Sequence, residues 1–469
     1  MQRYALLSQE QIEQVHETSL KILQNIGVNF FDEPARTVLA RAGAKVDGPR
    51  VRFPRNLVEE QLGKPPSRFT LYARNPEHNL VVGHGRPAFL PANCPALVHD
   101  SVDGQRYGTL KDYNAFVKLT QISGQLDMCS NVLVEPVDVQ EHLRHLVMTE
   151  ACLQYTDKCF MGSCTGRQAA RDVLEMLSMV FGSREALINE PRVMSIPCSM
   201  TPLCYDECML GTLMEYARAG QPVMINAITM AGASAPVTMA GALSLQNAEV
   251  LAGIVLTQAV REGTPVVYAS GSSNVDLRTG SFSVGSPEMA INNVMTAQMA
   301  RFYGLPCRGA GALTDSPVPD AQSGYESMLN LSMAVSSGVD IILHAAGSLE
   351  TLKCMSYEKF VMDEELIAML KRVHQDINVH EESLAYEVIE EVGPGGQFLD
   401  HEHTFEHFRE EIYLPTLSTR ETFNDWISHG SYGSEKRART RSILLLENYS
   451  QPDIPESVLN DLRTFVELH

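Results

Sequence analysis

The stretch GVDIILHAAGSLE, residues 338–350, opens on a glycine, passes through the apolar trio Ile341-Ile342-Leu343 and delivers His344 into small residues. It reads as a short buried strand that ends in a titratable ring. Strand interiors seldom need such a ring. Taken alone, the stretch fits a core histidine bonded to a backbone carbonyl as well as a ligand-facing one. The place of the strand in the whole chain decides between them.

The same pattern recurs seven times upstream. The runs are AFLPAN (88–93), DMCSNVLVE (127–135), CFMGSC (159–164), VMSIPCS (193–199), PVMINAIT (222–229), PVVYASG (265–271) and PCRGAGAL (306–313), before IILHAAG (341–347). Between them lie segments with apolar residues at three-and-four spacing, such as EHLRHLVMTEACLQY and LQNAEVLAGIVLTQAV, which predict helices. Gly220, Gly263, Gly304 and Gly338 stand between helix and strand, where a helix C-terminus favours glycine. Strict alternation implies parallel pairing through right-handed crossovers. Eight units over residues 86–375 predict an α/β fold, the (β/α)8 TIM barrel. A doubly wound open sheet is the alternative, but AFLPANCPALVHD lacks the glycine-rich loop that such a sheet wants after its first strand.

Residues 1–85 then form an N-terminal helical and hairpin extension. Its first helix carries a capping box at Ser8 and Gln11. Residues 376–469 form a helical, charged C-terminal extension.

The 469 residues carry a net charge of −20, which argues against nucleic acid and anionic membrane surfaces as partners. No continuous apolar run reaches the roughly 18 residues of a membrane span, and MQRYALLSQEQ has no signal-peptide core, so a cytoplasmic location is expected. Ten cysteines without a CxxC pair read as reduced thiols.

In such a barrel, chemistry gathers at the C-terminal ends of the strands. Those ends carry Asn93, Ser163, Ser199, Thr229, Ser270, Asn274, Thr314, Asp315 and His344, which are mostly neutral hydrogen-bonding groups. Arg308 on the seventh strand must be paired. Either an internal carboxylate such as Glu249 or Asp315 meets it, or an anionic ligand group does. Asp320 reads as a helix N-cap, and Asp315 as the better ligand contact. His401, His403 and His407 in DHEHTFEHF make a weak metal motif, outside the repeat and without a nearby cysteine. No tightly bound metal is expected.

Over nearly its whole length the chain resembles the trimethylamine methyltransferase superfamily of corrinoid-dependent enzymes. The resemblance rests on HDSVDGQRYGTLKDY, YTDKCFMGSCTGRQAARDVLEM, APVTMAGALSLQNAEVLAGI, YASGSSNVDLRTG, GALTDSPVPDAQSGYES, LHAAGSLE and EEVGPGGQFL. The founding members use pyrrolysine near the seventh strand, where this chain has only standard residues. The resemblance is therefore to the non-pyrrolysine branch. It implies methyl transfer from a quaternary amine (glycine betaine, proline betaine, carnitine or γ-butyrobetaine) to Co(I) of a corrinoid on a separate cognate protein. A non-catalytic ligand-binding or corrinoid-complex scaffold is the alternative.

A quaternary ammonium leaves as a neutral tertiary amine, so no acid or base is required. Catalysis then rests on positioning, with no catalytic residue in the strict sense. The expected substrate contacts are His344 and Arg308 toward a carboxylate, with Asp315 and Asn274. Tyr268, Phe89 and Phe360 are expected as aromatic faces for the cation, drawn from a wider set that includes Phe160, Phe282 and Tyr357. Gly393, Gly395 and Gly396 are expected to face the corrinoid, with a plain turn as the alternative. A homo-oligomer is also expected.

Overall fold

The computed structural model describes residues 3–83, 85–102 and 104–469. We number only the strands and helices of the alternating unit. The strands are β1 (Ala88–Phe89), β2 (Met128–Cys129), β3 (Cys159–Met161), β4 (Val193–Met194), β5 (Val223–Ala227), β6 (Val266–Ser270), β7 (Cys307–Ala310) and β8 (Ile341–Leu343). The helices are α1 (Leu110–Ile122), α2 (Glu141–Tyr155), α3 (Arg167–Phe181), α4 (Glu207–Arg218), α5 (Met239–Val260), α6 (Pro287–Phe302), α7 (Ala321–Ser337) and α8 (Tyr357–Val373). Each run read as a strand from the sequence contains one, and a helix follows every strand.

Pairing is parallel throughout. One sheet has the order β5-β6-β7-β8-β1 and another β4-β3-β2. Backbone bonds span both seams between them. The Asp127 N–H donates to Phe89 O at 2.9 Å next to β2, and Met224 N–H donates to Ser195 O at 2.8 Å where β4 ends beside β5. Ser195 and Cys198 also form parallel bridges with Val223 and Asn226. The glycines between helix and strand have positive φ, including Gly220 at 67° and Gly338 at 78°. That left-handed turn is what ends each helix there.

The strands separate two cores. One face meets the helices and holds Phe89, Phe160, Tyr268 and Ile342. The other is rich in sulfur, with Met128, Cys159, Met161, Met194 and Met224 beside Val267, Ile341 and Leu343. At the N-terminal end of the strands the hairpin Phe69–Leu71/Leu80–Val82 packs into this second core. Helix α5 is long and apolar enough to cross a membrane by composition, but 83% of its apolar window is buried. It packs between the strands and the N-terminal helix Gln9–Lys21, so it is a core helix here. The Ser8–Gln11 capping box is present on that N-terminal helix. The strand Val28–Phe30 pairs with Cys204–Tyr205, tying the N-terminal segment to the alternating unit.

Candidate functional site at the C-terminal ends of the strands

His344 follows β8 directly, with φ of 61°, a conformation a non-glycine residue adopts only when its surroundings hold it there. Its N–H reaches Pro91 O at 3.3 Å, and the next N–H, of Ala345, reaches Leu90 O at 2.7 Å. Gly311, after β7, is forced by the same crowding: a Cβ there would lie 2.6 Å from Ala345 Cα. The ring is 7% exposed, and its Nδ1 accepts the Asn93 N–H at 3.2 Å. The proton therefore sits on Nε2, which has no partner among the described residues. Burial, and then the Arg308 charge, hold the imidazole well below its usual pKa of 6.5. The ring is a neutral, one-sided donor.

Arg308 projects from β7 and is 2% exposed. One Nη donates to Ser270 O, and its buried Nε–H has no partner. Burial pulls its pKa down to about 10. Neither proposed internal partner reaches it. Glu249 instead accepts from Ser199, from Thr201 at 2.8 Å and from the Leu203 N–H at 2.7 Å. Asp315 is spent on loop closure, accepting from Val284 N–H at 2.9 Å, Gly285 N–H at 3.1 Å and Thr351 Oγ1 at 2.9 Å. Among the described residues, Arg308 is thus a buried cation without a carboxylate, an arrangement that costs several kcal/mol unless a ligand completes it.

The surrounding groups are neutral. Cys94 accepts from Asn93 Nδ2 at 3.0 Å, and Cys198 from Asn226 Nδ2 at 3.2 Å. Burial raises the Cys198 thiol, which stays protonated, while Cys94 stands exposed at the lip of the site. Asn226 Oδ1 and Thr229 Oγ1 are buried without hydrogen-bond partners, adding unused capacity at the same strand ends. Asn226 escaped the sequence reading. Its signal is a lone amide inside the apolar run PVMINAIT, two residues beyond the core-facing Met224.

Several expected contacts fall elsewhere. Tyr268, Phe89 and Phe360 are buried in the helix-facing core, which corrects their placement in the pocket. The Tyr268 hydroxyl donates to Asn247 at 3.0 Å on α5. Asp315 is corrected to a loop-tying carboxylate, as above. Asn274 accepts from Ser286 Oγ at 2.7 Å and so fastens the hairpin Ser273–Asp276/Ser281–Ser283 to the start of α6. Phe160 joins the helix-facing core, and Tyr357 stacks on Phe116. Phe282 is left on the hairpin, half-buried. Asp320 caps α7, as expected.

Gly395 and Gly396 are exposed and Gly393 half-buried, in the turn after the helix Tyr386–Val392. That turn is reached from the far end of α8, where Lys371 donates to Gln125 O just before β2 begins. Two short helices, Glu381–Leu384 and Tyr386–Val392, separate the glycines from that end of α8, which lies at the N-terminal end of the strands. A cleft of about 460 Å3 opens at this same end, with Arg192 between Tyr72 and Phe181. It is remote from His344 and Arg308. Among the described residues no group of three or more His, Cys, Asp or Glu is placed to hold a metal ion.

Comparison with known proteins agrees with this architecture. Residues 1–469 match the family described as trimethylamine methyltransferase (MTTB). The chain is 43% identical to the glycine betaine methyltransferase of Desulfitobacterium hafniense (strain Y51), covering 99% of this chain and 97% of that one. It is 28% identical to the proline betaine:corrinoid methyltransferase of Eubacterium limosum, covering 98% and 96%. The monomethylamine methyltransferase structure from Methanosarcina barkeri superposes with a TM-score of 0.57 at 10% identity, covering 96% of this chain and 90% of that one, and so shares its fold. The chain belongs to the trimethylamine methyltransferase family.

Proposed function

We propose that this chain moves a methyl group from a carboxylated quaternary amine, glycine betaine or a close analogue, to Co(I) of a corrinoid carried by a partner protein. The observation that carries the reading is Arg308, buried without a carboxylate partner beside the neutral donor His344. A betaine carboxylate completes both groups. The 43% identity to a glycine betaine methyltransferase supports the same substrate class. The eight strands and their two bonded seams support closure into a (β/α)8 barrel over about residues 86–375, with this site at its mouth. The segments 1–85 and 376–469 are extensions of that barrel.

The acceptor supplies a strongly nucleophilic metal centre, and the chain's own residues supply geometry. Arg308 and His344 Nε2 hold the carboxylate, which turns the ammonium toward the open mouth. One N–CH3 bond then lies in line with the acceptor. The methyl carbon passes to the acceptor, the C–N electron pair returns to nitrogen, and a neutral tertiary amine leaves. No proton moves, which suits a mouth of amides, hydroxyls and protonated thiols. A neutral imidazole matters because an imidazolium would repel the ammonium.

The test is methyl transfer to reduced cobalamin by the purified protein across a panel of amines. Turnover is expected with glycine betaine and absent with trimethylamine. Robust trimethylamine turnover, or none with any betaine, refutes the proposal.

A further inference from the structure

Residues 376–433 contain the short helices Glu381–Leu384, Tyr386–Val392, Glu402–Glu411 and Phe423–Ser428, none of which has a buried residue. The segment nevertheless displays large apolar side chains. Ile377, Val379, Tyr386, Leu399, Phe405 and Phe423 are each at least 69% exposed. Helices of four to ten residues do not hold without tertiary packing. Apolar side chains displayed at this density mark an interface. The packing these helices need must come from outside the chain.

Position and charge identify what supplies it. The segment is tied to the C-terminal half of α8, which runs toward the N-terminal end of the strands: the Thr416 and Leu417 N–H groups bond Glu365 at 3.0 and 3.1 Å midway along the helix, and Arg372 in its last turn bonds Glu411 O at 2.5 Å. A methyl acceptor must approach the opposite end, and it must come and go, whereas these helices need permanent cover. The segment also carries thirteen carboxylates against two arginines. Facing a copy of itself would set like charges together. It needs a basic surface with apolar patches.

This chain has one. Residues 36–74 carry nine lysines and arginines against three carboxylates, in a protein of net charge −20. On the hairpin Lys45–Asp47/Arg50–Arg52 and the helix end before it, Arg41, Lys45 and Arg50 are exposed. None of the three makes an ion pair among the described residues. Ile26, Phe31 and Val46, 37–50% exposed, flank them. We propose that residues 376–433 of one copy pack on the basic N-terminal face of a second copy. The contact joins two different patches of the same chain, the pairing that builds closed rings or filaments. It is independent of the substrate reading.

The test uses the full chain in sedimentation velocity and in zero-length carbodiimide cross-linking of mixed 14N- and 15N-labelled protein. We expect a species larger than 51.8 kDa and mixed-isotope cross-links from Lys45 to carboxylates of the segment. The charge-reversed variant R41E/K45E/R50E, and separately I389D/F405D, should each weaken assembly at least about tenfold with the circular dichroism of the fold retained. A 51.8-kDa monomer at micromolar concentration overturns the proposal. So does an assembly that neither variant weakens, or one whose cross-links avoid the segment.

Discussion

Replacing Arg308 with methionine separates a substrate anchor from a structural cation, because the two roles predict opposite effects on stability. The side chain is 2% exposed, its charge meets no carboxylate among the described residues, and its one bond goes to Ser270 O. Removing the charge returns several kcal/mol of desolvation cost. Leaving Ser270 O unsatisfied costs about 1–3 kcal/mol. The melting temperature of Arg308→Met should therefore stay level or rise. Binding should behave differently. Losing charge-assisted bonds to a carboxylate removes about 2–3 kcal/mol, which at about 1.36 kcal/mol per decade is roughly 30- to 160-fold in affinity for glycine betaine. Choline has no carboxylate and should lose less than about threefold. Titration calorimetry with both ligands and scanning calorimetry of both proteins make the measurement. Equal losses for the two ligands, with a stability drop of about 3–5 kcal/mol, would refute the reasoning and make Arg308 part of a structural ion pair.

His344→Ala should keep a cooperative unfolding transition and lose at least about tenfold in kcat/KM for glycine betaine, near 1.4 kcal/mol; wild-type turnover would return the ring to the core-filling reading. The depressed pKa of His344 carries a signed pH effect. The unfolded chain takes up a proton near pH 6.5 and the folded ring does not, so this contribution to stability is complete above that pH and is lost as pH falls below it. Denaturant titrations at several pH values should show that loss in the wild type and a smaller one in His344→Ala. Lys359→Met strands the Asp363 carboxylate, which is buried with Lys359 and also holds the Gly347 N–H at 2.9 Å beyond β8. It should cost about 3–5 kcal/mol, most of it recovered in Lys359→Met/Asp363→Leu. Lys158→Met removes the only side-chain donor, among the described residues, to Thr120 O, Ser123 O and Leu126 O, at 2.7–2.9 Å, and should cost at least about 3 kcal/mol in urea unfolding.

The alternation of strand and helix was legible in the sequence because its signals are local. Apolar runs such as Ile341–Leu343 end at a residue that changes character. The glycines before β5 and β8 have the positive φ that a helix stop requires, and Asp320 caps α7 through a bond three residues away. The family motifs are local in the same sense, and they carried the reaction class with them. Membership of the site was only partly local. His344 and Arg308 stand at strand ends, where their chemistry was readable. Whether a carboxylate meets Arg308 depended on Glu249 and Asp315, and both are committed to loops that the chain brings together from 30 or more residues away.

The aromatic rings were misplaced for a related reason. In strands of two to five residues, one step of register sends a side chain to the other face. Tyr268 therefore meets Asn247 on α5, while its neighbours Val267 and Ala269 face the sulfur-rich core. The glycine turn at 393–396 reads the same wherever the short helices after α8 carry it. The sequence by itself determined which segments are strands and which helices, and which groups stand at strand ends. Tertiary structure alone decided which side chains share a face and which charges lack a partner, because those depend on packing between elements far apart in the chain.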